Sequence, residues 1–375
     1  MQSIVRNTAL LLFSLIFLNF NIYFSMLDLN WVNYSITFLF FFMVIFFILI
    51  NKFNFKLPVL YVSIYFILII VNAVYILSSN HPFVSDFFYK NIFYFLFFIF
   101  LFLLFQKNLN TNLVLNLFKF FIFIIVSLNL VDFFDNGLIF LEFPGFEARA
   151  SGLYINANNS AYAILACLSI IICLSVNKTS WVYYILALFG ILLTLSRGGV
   201  TIWFFILFSS ILLGKISKKD FLISIFVPLF FVFNFYFILQ FFEKYSNYYD
   251  LLSARLNFLD GNESINSIAD DSRYNLLISS LDLFFTNPIW GNGLFSLLEH
   301  GSDQLNHNQY LIILTDYGLI GFCLFLLMLT LAYTKKNSII YVFLFFSAFF
   351  THEFFYSYTY LTVFSFLLAS KISLK

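Results

Sequence analysis

The chain alternates between long apolar runs and short polar intervals along its whole length. The runs contain roughly 18 to 20 residues, the length that an α-helix needs to cross a bilayer. Stretches such as 38–50 lack the apolar–polar alternation of the strands in a membrane β-barrel. The pattern predicts an all-α polytopic membrane protein with about twelve transmembrane helices in a single integral membrane domain, residues 1–375.

Twelve apolar runs define the predicted spans, with boundaries good to a few residues. Two substantial polar loops, about 135–159 and 242–306, separate some of them. The predicted spans cover about 8–26, 32–50, 57–77, 91–106, 113–134, 160–176, 181–195, 199–214, 220–241, 308–333, 338–351 and 354–370.

Composition agrees with this pattern, since 62% of the residues are hydrophobic and only 10% are charged. A soluble domain carries about 25% charged residues. The three cysteines, Cys167, Cys173 and Cys323, lie within apolar runs and are expected to be small buried hydrophobic residues. Their spacing indicates neither a disulfide framework nor a metal site.

The basic residues are distributed unevenly between the two sides of the predicted spans. Twelve of the fourteen lysines fall on one side, which the positive-inside rule identifies as cytoplasmic. Both termini are then cytoplasmic, and both substantial loops lie on the outer side. Four of the five arginines, Arg149, Arg197, Arg255 and Arg273, lie on the outer side, where this rule disfavours them.

Arginine differs from lysine in offering a planar fork that grips phosphate or carboxylate with two hydrogen bonds. The outer arginines are therefore candidates for binding an anionic substrate at the membrane surface. The alternative is that each of them pairs with one of the many outer carboxylates.

The longest polar interval, 273–321, contains the sharpest candidate for a catalytic base. An imidazole titrates at about 6.5, so His307 can accept a proton near neutrality. The alternative is an interfacial histidine at the end of a span. Ser272 is expected to cap a helix through Thr286, with an apolar face at Leu277, Leu281 and Phe284/Phe285.

No cofactor or metal is expected from the sequence. The histidines lack zinc spacing, the acidic run 260–271 matches a calcium loop only faintly, and no glycine-rich phosphate loop is present. The outer side of the membrane offers no nucleotide, so chemistry there requires an activated substrate. A lipid diphosphate meets this requirement, and its charge suits the outer arginines.

Three sequence features together resemble the O-antigen polymerase and O-antigen ligase superfamily of bacterial envelope glycan assembly. They are LTLSRGG at 193–199, the Ser-Arg followed by a helix, Asn-Pro and Gly-Asn-Gly at 272–293, and HNQYL leading to YGLIG at 307–321. The segment 149–159 is similar to a fourth, looser feature. A tryptophan common in the helix after Arg273 is replaced by Leu276 or Leu277.

The resemblance implies a metal-independent glycosyltransferase of GT-C-like architecture in the bacterial inner membrane, with a periplasmic active site. The donor would be an oligosaccharide on undecaprenyl diphosphate, and membrane lipid and a chain-length regulator would be further partners; nucleic acid is not expected. By position, Arg197 and Arg273 match the diphosphate-handling arginines, and His307 matches the proposed base. The additional candidates for binding diphosphate or glycan are Arg149, Arg255, Asn158, Asn308 and Tyr310.

Three functions remain open at this point. A polymerase would transfer the growing glycan onto another lipid-linked repeat unit, and a ligase would transfer it onto lipid A core. The composition, typical of AT-rich coding DNA, favours a polymerase because divergent surface-glycan clusters share it. A flippase or transporter would need ionisable residues deep in its spans, and the span interiors are almost free of charge.

Overall fold

The computed structural model describes residues 2–51, 59–78, 82–108, 112–135, 140, 149–233, 268–300, 306–351 and 354–373. Within these ranges every regular element is helical. The helices before residue 150 are α1 (Gln2–Phe17), α2 (Phe20–Met26), α3 (Asn30–Ile50), α4 (Val59–Ser78), α5 (Pro82–Asn108) and α6 (Asn112–Asp135).

The remaining helices include one long helix after residue 300 and several shorter ones. A 3₁₀ turn, Gly152–Tyr154, precedes the first of them, and another, Lys335–Asn337, follows the long helix. They are α7 (Ala157–Leu174), α8 (Trp181–Leu193), α9 (Arg197–Leu212), α10 (Lys218–Phe233), α11 (Ile268–Thr286), α12 (Ser296–Glu299), α13 (Gln309–Ala332), α14 (Ser338–Ser347) and α15 (Tyr358–Ser373).

A helix occupies each of the twelve predicted spans, and most boundaries agree within a few residues. Among the described residues, five helices are long and apolar enough to cross a membrane, or six if the bent pair α1–α2 is one span. The five are Asn30–Ile50, Lys90–Asn108, Asn112–Asp135, Ala157–Leu174 and Gln309–Ala332. The protein is therefore an all-α membrane protein over its described residues; twelve crossings and a GT-C-like architecture stay predictions.

The first predicted span, 8–26, is interrupted rather than continuous. A bend of 51° separates its two helices, and Asn19, at the break, has a left-handed backbone with φ 65°. The Asn19 side-chain amide donates a hydrogen bond of 2.7 Å to the Leu153 carbonyl. Asparagine tolerates this backbone conformation better than most residues, which explains why the break falls there.

The chain contains two compact units. The first unit comprises Met1–Phe13, Thr37–Thr111 and Ile268–Lys375, and the second comprises Ser14–Ile36 and Asn112–Ser267. Each is described by itself below.

Close packing of small residues holds the second unit together around the buried helix α7. A Cβ added at Gly190 would lie 2.6 Å from Val126 Cγ2 and 2.8 Å from Ile164 Cδ1. A Cβ at Gly199 would lie 3.1 Å from Ala161 Cβ. Small residues let helix backbones approach closely, and the resulting van der Waals packing is one of the forces that associate helices where lipid removes the hydrophobic driving force.

The first unit is built around α5, α13 and α15, whose apolar faces contain many aromatic rings. The α5–α15 pair shares a T-shaped contact between Phe97 and Tyr358, with ring centroids 4.9 Å apart, and a 3.0 Å hydrogen bond from the Ser365 hydroxyl to the Phe98 carbonyl. Cys167 and Cys173 are buried as expected, but the expectation for Cys323 was wrong. Cys323 is exposed, because it lies on a face of α13 that no other helix covers among the described residues.

A backbone break interrupts α13 at Gly318, whose φ of 62° and ψ of −164° are essentially restricted to glycine. The loop after α11 inserts at this break. Leu319 N–H donates to the Pro288 carbonyl over 2.8 Å, and Gly293 N–H donates to the Asp316 carbonyl over 3.0 Å. The loop therefore satisfies backbone groups that the break removes from the helix.

The Asp316 carboxyl completes this insertion from the side. It accepts hydrogen bonds from the backbone N–H groups of Phe295 and Ser296, both over 3.2 Å, and from the Ser296 hydroxyl over 2.8 Å. These donors lie at the start of α12, where the first N–H groups of a helix have no partner within the helix; the Ser296 N–H also donates to the Gly293 carbonyl over 3.1 Å. One carboxyl thus joins α12 to the break in α13.

We expect Gly318→Ala to destabilise the fold more than Gly214→Ala. Both glycines have positive φ, 62° and 69°, so an alanine is strained at either position, by roughly 1–3 kcal/mol for its backbone alone. Only at Gly318 would the new Cβ lie 2.4 Å from a backbone oxygen, that of Ile289, whereas nothing lies within 4 Å at Gly214. Thermal unfolding of the full-length chain in detergent should show an additional loss of roughly 2 kcal/mol for Gly318→Ala. Equal losses would contradict a tight insertion.

Candidate functional site

The candidate residues divide between the two units. The second unit contains Arg149, Asn158 and Arg197. The first unit contains Arg273, His307, Asn308 and Tyr310. Arg255 lies outside the described residues, as do all loop residues from 242 to 267 and from 301 to 305.

In the second unit, Arg197 is exposed at the first position of α9. The preceding residue, Ser196, caps this helix, because its hydroxyl accepts a hydrogen bond of 3.2 Å from the Gly199 N–H. Leu195 has φ 51°, a left-handed conformation that costs roughly 1–3 kcal/mol for a residue other than glycine. Such strain persists only where surrounding contacts hold it, and it is often found at functional sites.

The half-buried Arg149 guanidinium supplies some of the contacts that hold the turn at Leu195. Its Nε donates to the Thr194 carbonyl over 3.1 Å, and one terminal nitrogen donates to the Asn158 side-chain oxygen over 2.8 Å. The same Asn158 oxygen accepts a hydrogen bond of 2.9 Å from the Ser196 hydroxyl. Arg149 and Asn158, predicted to bind substrate, therefore both hold the turn that precedes Arg197.

The segment around Arg149 is itself fixed to the end of α6. The Asp132 carboxylate accepts hydrogen bonds from the N–H groups of Ser151 and Gly152, over 2.6 and 2.7 Å. Two residues later the Tyr154 hydroxyl donates to the Phe17 carbonyl over 2.5 Å, and burial raises its pKa well above the ordinary value. The phenol is therefore a neutral donor at any physiological pH.

In the first unit, His307 is exposed between residues that tie it to three helices. The Asn306 side-chain amide donates to the Ser280 hydroxyl on α11 over 3.0 Å. Asn308 caps α13, because its side-chain oxygen accepts from the N–H groups of Tyr310 and Leu311 over 3.0 and 3.3 Å. The backbone N–H of Gln309 donates to the Ala348 carbonyl at the end of α14 over 2.8 Å. The chain on both sides of the imidazole is therefore fixed.

The helix that carries Arg273 begins earlier than predicted. It starts at Ile268, so Ser272 lies inside α11 and does not cap it. The carboxylates of the first turn, Asp270 and Asp271, explain the extension because negative charge stabilises a helix N-terminus. Arg273 therefore lies in the second turn of the helix.

The residues that α11 buries in the protein are not those of its predicted apolar face, which stays a prediction. Ser280 and Leu283 are buried against the unit, whereas Leu277 and Phe285 are exposed. The reason is that α11 packs on α13. On this side of α11 the Leu276 backbone carbonyl accepts a hydrogen bond from the Asn306 side-chain amide.

The Tyr310 side chain makes contacts within the protein. Its hydroxyl donates to the Phe345 carbonyl over 2.9 Å, and its ring contacts the Phe349 ring with centroids 4.9 Å apart. The structure thus gives Tyr310 a role in packing α13 against α14.

Two aspartates that the sequence did not single out organise these segments. Asp316 holds the loop that links α11 to α12, and Asp132 holds the segment that follows Arg149. The only available signal was a lone carboxylate near the end of an apolar run, which is costly in a membrane unless it has partners.

A protein-family model described as O-antigen ligase matches residues 182–326. These residues are similar to the O-antigen ligase family. The match confirms the resemblance drawn from the sequence. No curated protein matches the chain in a sequence search.

The O-antigen ligase match extends from α8 to the middle of α13. It includes Arg197, Arg273 and His307. Arg149 and Asn158 precede the matched segment, although their hydrogen bonds lead into its Ser-Arg turn.

We expect Asn308→Ala to lower the free energy of unfolding by about 1 kcal/mol, because alanine cannot accept the two N–H groups at the start of α13. Asn308→Asp should recover this loss, since a carboxylate is an equally good cap and is favoured by the helix dipole. Thermal unfolding in detergent measures both variants. If Asn308→Asp is no more stable than Asn308→Ala, capping is not the structural role of Asn308.

Proposed function

We propose that this protein belongs to the O-antigen ligase family and is a surface-polysaccharide polymerase. It transfers a growing glycan from undecaprenyl diphosphate onto another lipid-linked repeat unit at the periplasmic face of the inner membrane. The observation that carries the proposal is the family match, because one segment includes Arg197, Arg273 and His307 in the expected order. The exposure of Arg197 and His307 adds support.

The reaction is a single transfer between two lipid-linked glycans. A hydroxyl of the acceptor sugar attacks the anomeric carbon of the donor, and a new glycosidic bond forms while the bond to the diphosphate oxygen breaks. His307 takes the proton of the attacking hydroxyl. The lipid diphosphate leaves with the bonding electrons, and the guanidinium groups of Arg197 and Arg273 stabilise the charge that develops on it.

The guanidinium fork suits this role better than an ammonium group. Two N–H groups in one plane match two oxygens of a phosphate, and their charge does not depend on pH in the physiological range. No step in this scheme uses a metal ion, so the proposed enzyme is metal-independent.

The wider organisation belongs to the same proposal. The chain crosses the inner membrane about twelve times in a GT-C-like arrangement, with both termini cytoplasmic and with Arg255 in the second periplasmic loop as a further ligand for diphosphate or glycan. Asn308 and Tyr310 contribute to glycan binding through groups left after their internal hydrogen bonds. A chain-length regulator is a further partner.

The alternative is an O-antigen ligase that transfers the glycan to lipid A core. The description of the matching family favours it, whereas the AT-rich composition favours a polymerase. Both use the same donor and the same leaving group, so the residue roles above apply to either.

We expect Arg197→Ala, Arg273→Ala and His307→Ala each to abolish polymer formation while the protein remains at a normal level in the membrane. Each variant removes a group that acts on the leaving diphosphate or the attacking hydroxyl. Arg197→Lys and Arg273→Lys should also fail, because an ammonium group cannot form the paired hydrogen bonds. Glycan gels of complemented deletion strains measure chain length.

Matched controls come from the same protein. His300→Ala removes an exposed imidazole of the first unit whose hydrogen bond among the described residues is local, to the Ser296 carbonyl over 2.7 Å. Arg6→Ala removes a guanidinium near the N-terminus. Both should leave the glycan ladder unchanged. A wild-type ladder from Arg197→Ala, Arg273→Ala or His307→Ala would refute the role assigned to that residue.

A deletion strain separates polymerase from ligase. Loss of a polymerase should leave a single repeat unit on the lipid A core, because ligation continues without chain growth. Loss of a ligase should remove all surface glycan and leave polymer on the carrier lipid. Analysis of both glycan pools assigns the activity, and the second outcome would replace the polymerase assignment with the ligase.

A further inference from the structure

We propose that Arg149 is a positioning residue that sets the geometry of the Ser-Arg turn and, through it, the direction in which Arg197 meets the donor diphosphate. The inference rests on the proposed function for the identity of the donor. It differs from direct binding of the diphosphate by Arg149, which the charge pattern by itself suggested.

The first argument is the continuity of the contacts. The Arg149 guanidinium bonds the Thr194 carbonyl and the Asn158 amide oxygen, 3.1 and 2.8 Å away. That oxygen also accepts the Ser196 hydroxyl hydrogen, and the Ser196 oxygen accepts the Gly199 N–H. Every residue from 194 to 197 therefore takes part in this series of hydrogen bonds or is adjacent to a residue that does.

The second argument is that the turn requires support. Leu195 holds a left-handed backbone with φ 51° between the two groups that Arg149 holds, directly or through Asn158. The start of α9 is also closely confined, because a Cβ at Gly199 would lie 2.9 Å from Ile191 Cγ2. Without the Arg149 guanidinium, the Leu195 backbone would relax to a less strained conformation. This change would reorient Arg197, the first residue of α9.

The third argument is that Arg149 is itself anchored. Two residues further along, the Ser151 and Gly152 N–H groups bind the Asp132 carboxylate. A Cβ at Gly152 would lie 3.0 Å from the Asn129 side-chain oxygen, so this segment lies directly against α6. The segment that carries Arg149 is therefore held against α6.

The test is binding of undecaprenyl diphosphate by the full-length chain in detergent, compared among wild type, Arg149→Gln, Arg197→Gln and the double variant. Loss of a charge-assisted contact should weaken binding about tenfold or more in Arg197→Gln. Arg149→Gln should weaken it by a similar factor. The double variant should bind no more weakly than Arg197→Gln, because both changes interrupt one path.

Arg149→Lys provides a second readout. An ammonium group keeps the charge but cannot bond the two divergent acceptors in one plane, so this variant should bind as weakly as Arg149→Gln. Multiplied losses in the double variant, or recovery of binding by Arg149→Lys, would show direct contact with the diphosphate and overturn the inference. If Arg149→Gln does not fold, Ser196→Ala interrupts the same chain from its other end and takes its place.

Hydrogen exchange separates this inference from the proposed function. Without any lipid, Arg149→Gln should raise amide exchange at residues 195–199 about tenfold over wild type, and unchanged exchange there would refute the positioning role. Failure of the wild-type chain to bind undecaprenyl diphosphate would instead refute the proposed donor, while the exchange result still decides what Arg149 holds.

Discussion

Backbone groups inside a bilayer have no water to bind, so every interruption of a helix there must be satisfied by other parts of the protein. Helical backbone is interrupted near candidate residues in two places, one in each unit. At Gly318 the loop from Pro288 to Gly293 supplies backbone partners, and the Asp316 carboxyl accepts a hydrogen bond from Ser296 in α12, the helix that follows this loop. At Leu195 the partners are side chains, chiefly that of Arg149. In both places polar residues are retained in an apolar chain because irregular backbone needs them.

The same requirement divides the polar candidates into two groups. Asn158, Asn308 and Tyr310 have hydrogen bonds that fix the ends of helices or join neighbouring helices. Arg197 and His307 are exposed, and the residues on either side of each are fixed. A side chain on a fixed backbone loses little freedom when a ligand binds, and fixed charges of this kind are what the proposed chemistry would require.

The outer arginines are accordingly not one uniform set. The planar guanidinium that makes arginine suited to a diphosphate also makes it suited to joining two backbone-bearing segments, since its donors point in different directions within one plane. In the second unit Arg149 does the latter, by contacting a carbonyl and an amide oxygen. Arg197 begins a helix, where its exposed side chain extends from a turn that other residues hold.

The sequence by itself determined the helices, because an apolar run of about 20 residues has few other solutions in a membrane, and it located the family-like segment from the order of its polar residues. It missed the true start of α11, the exposure of Cys323 and the buried face at Ser280. Tertiary structure alone decided that Arg149 braces a turn 45 residues away and that Gly318 admits a distant loop. Local periodicity reports only which residues share a face of one helix, whereas these contacts depend on which helices become neighbours.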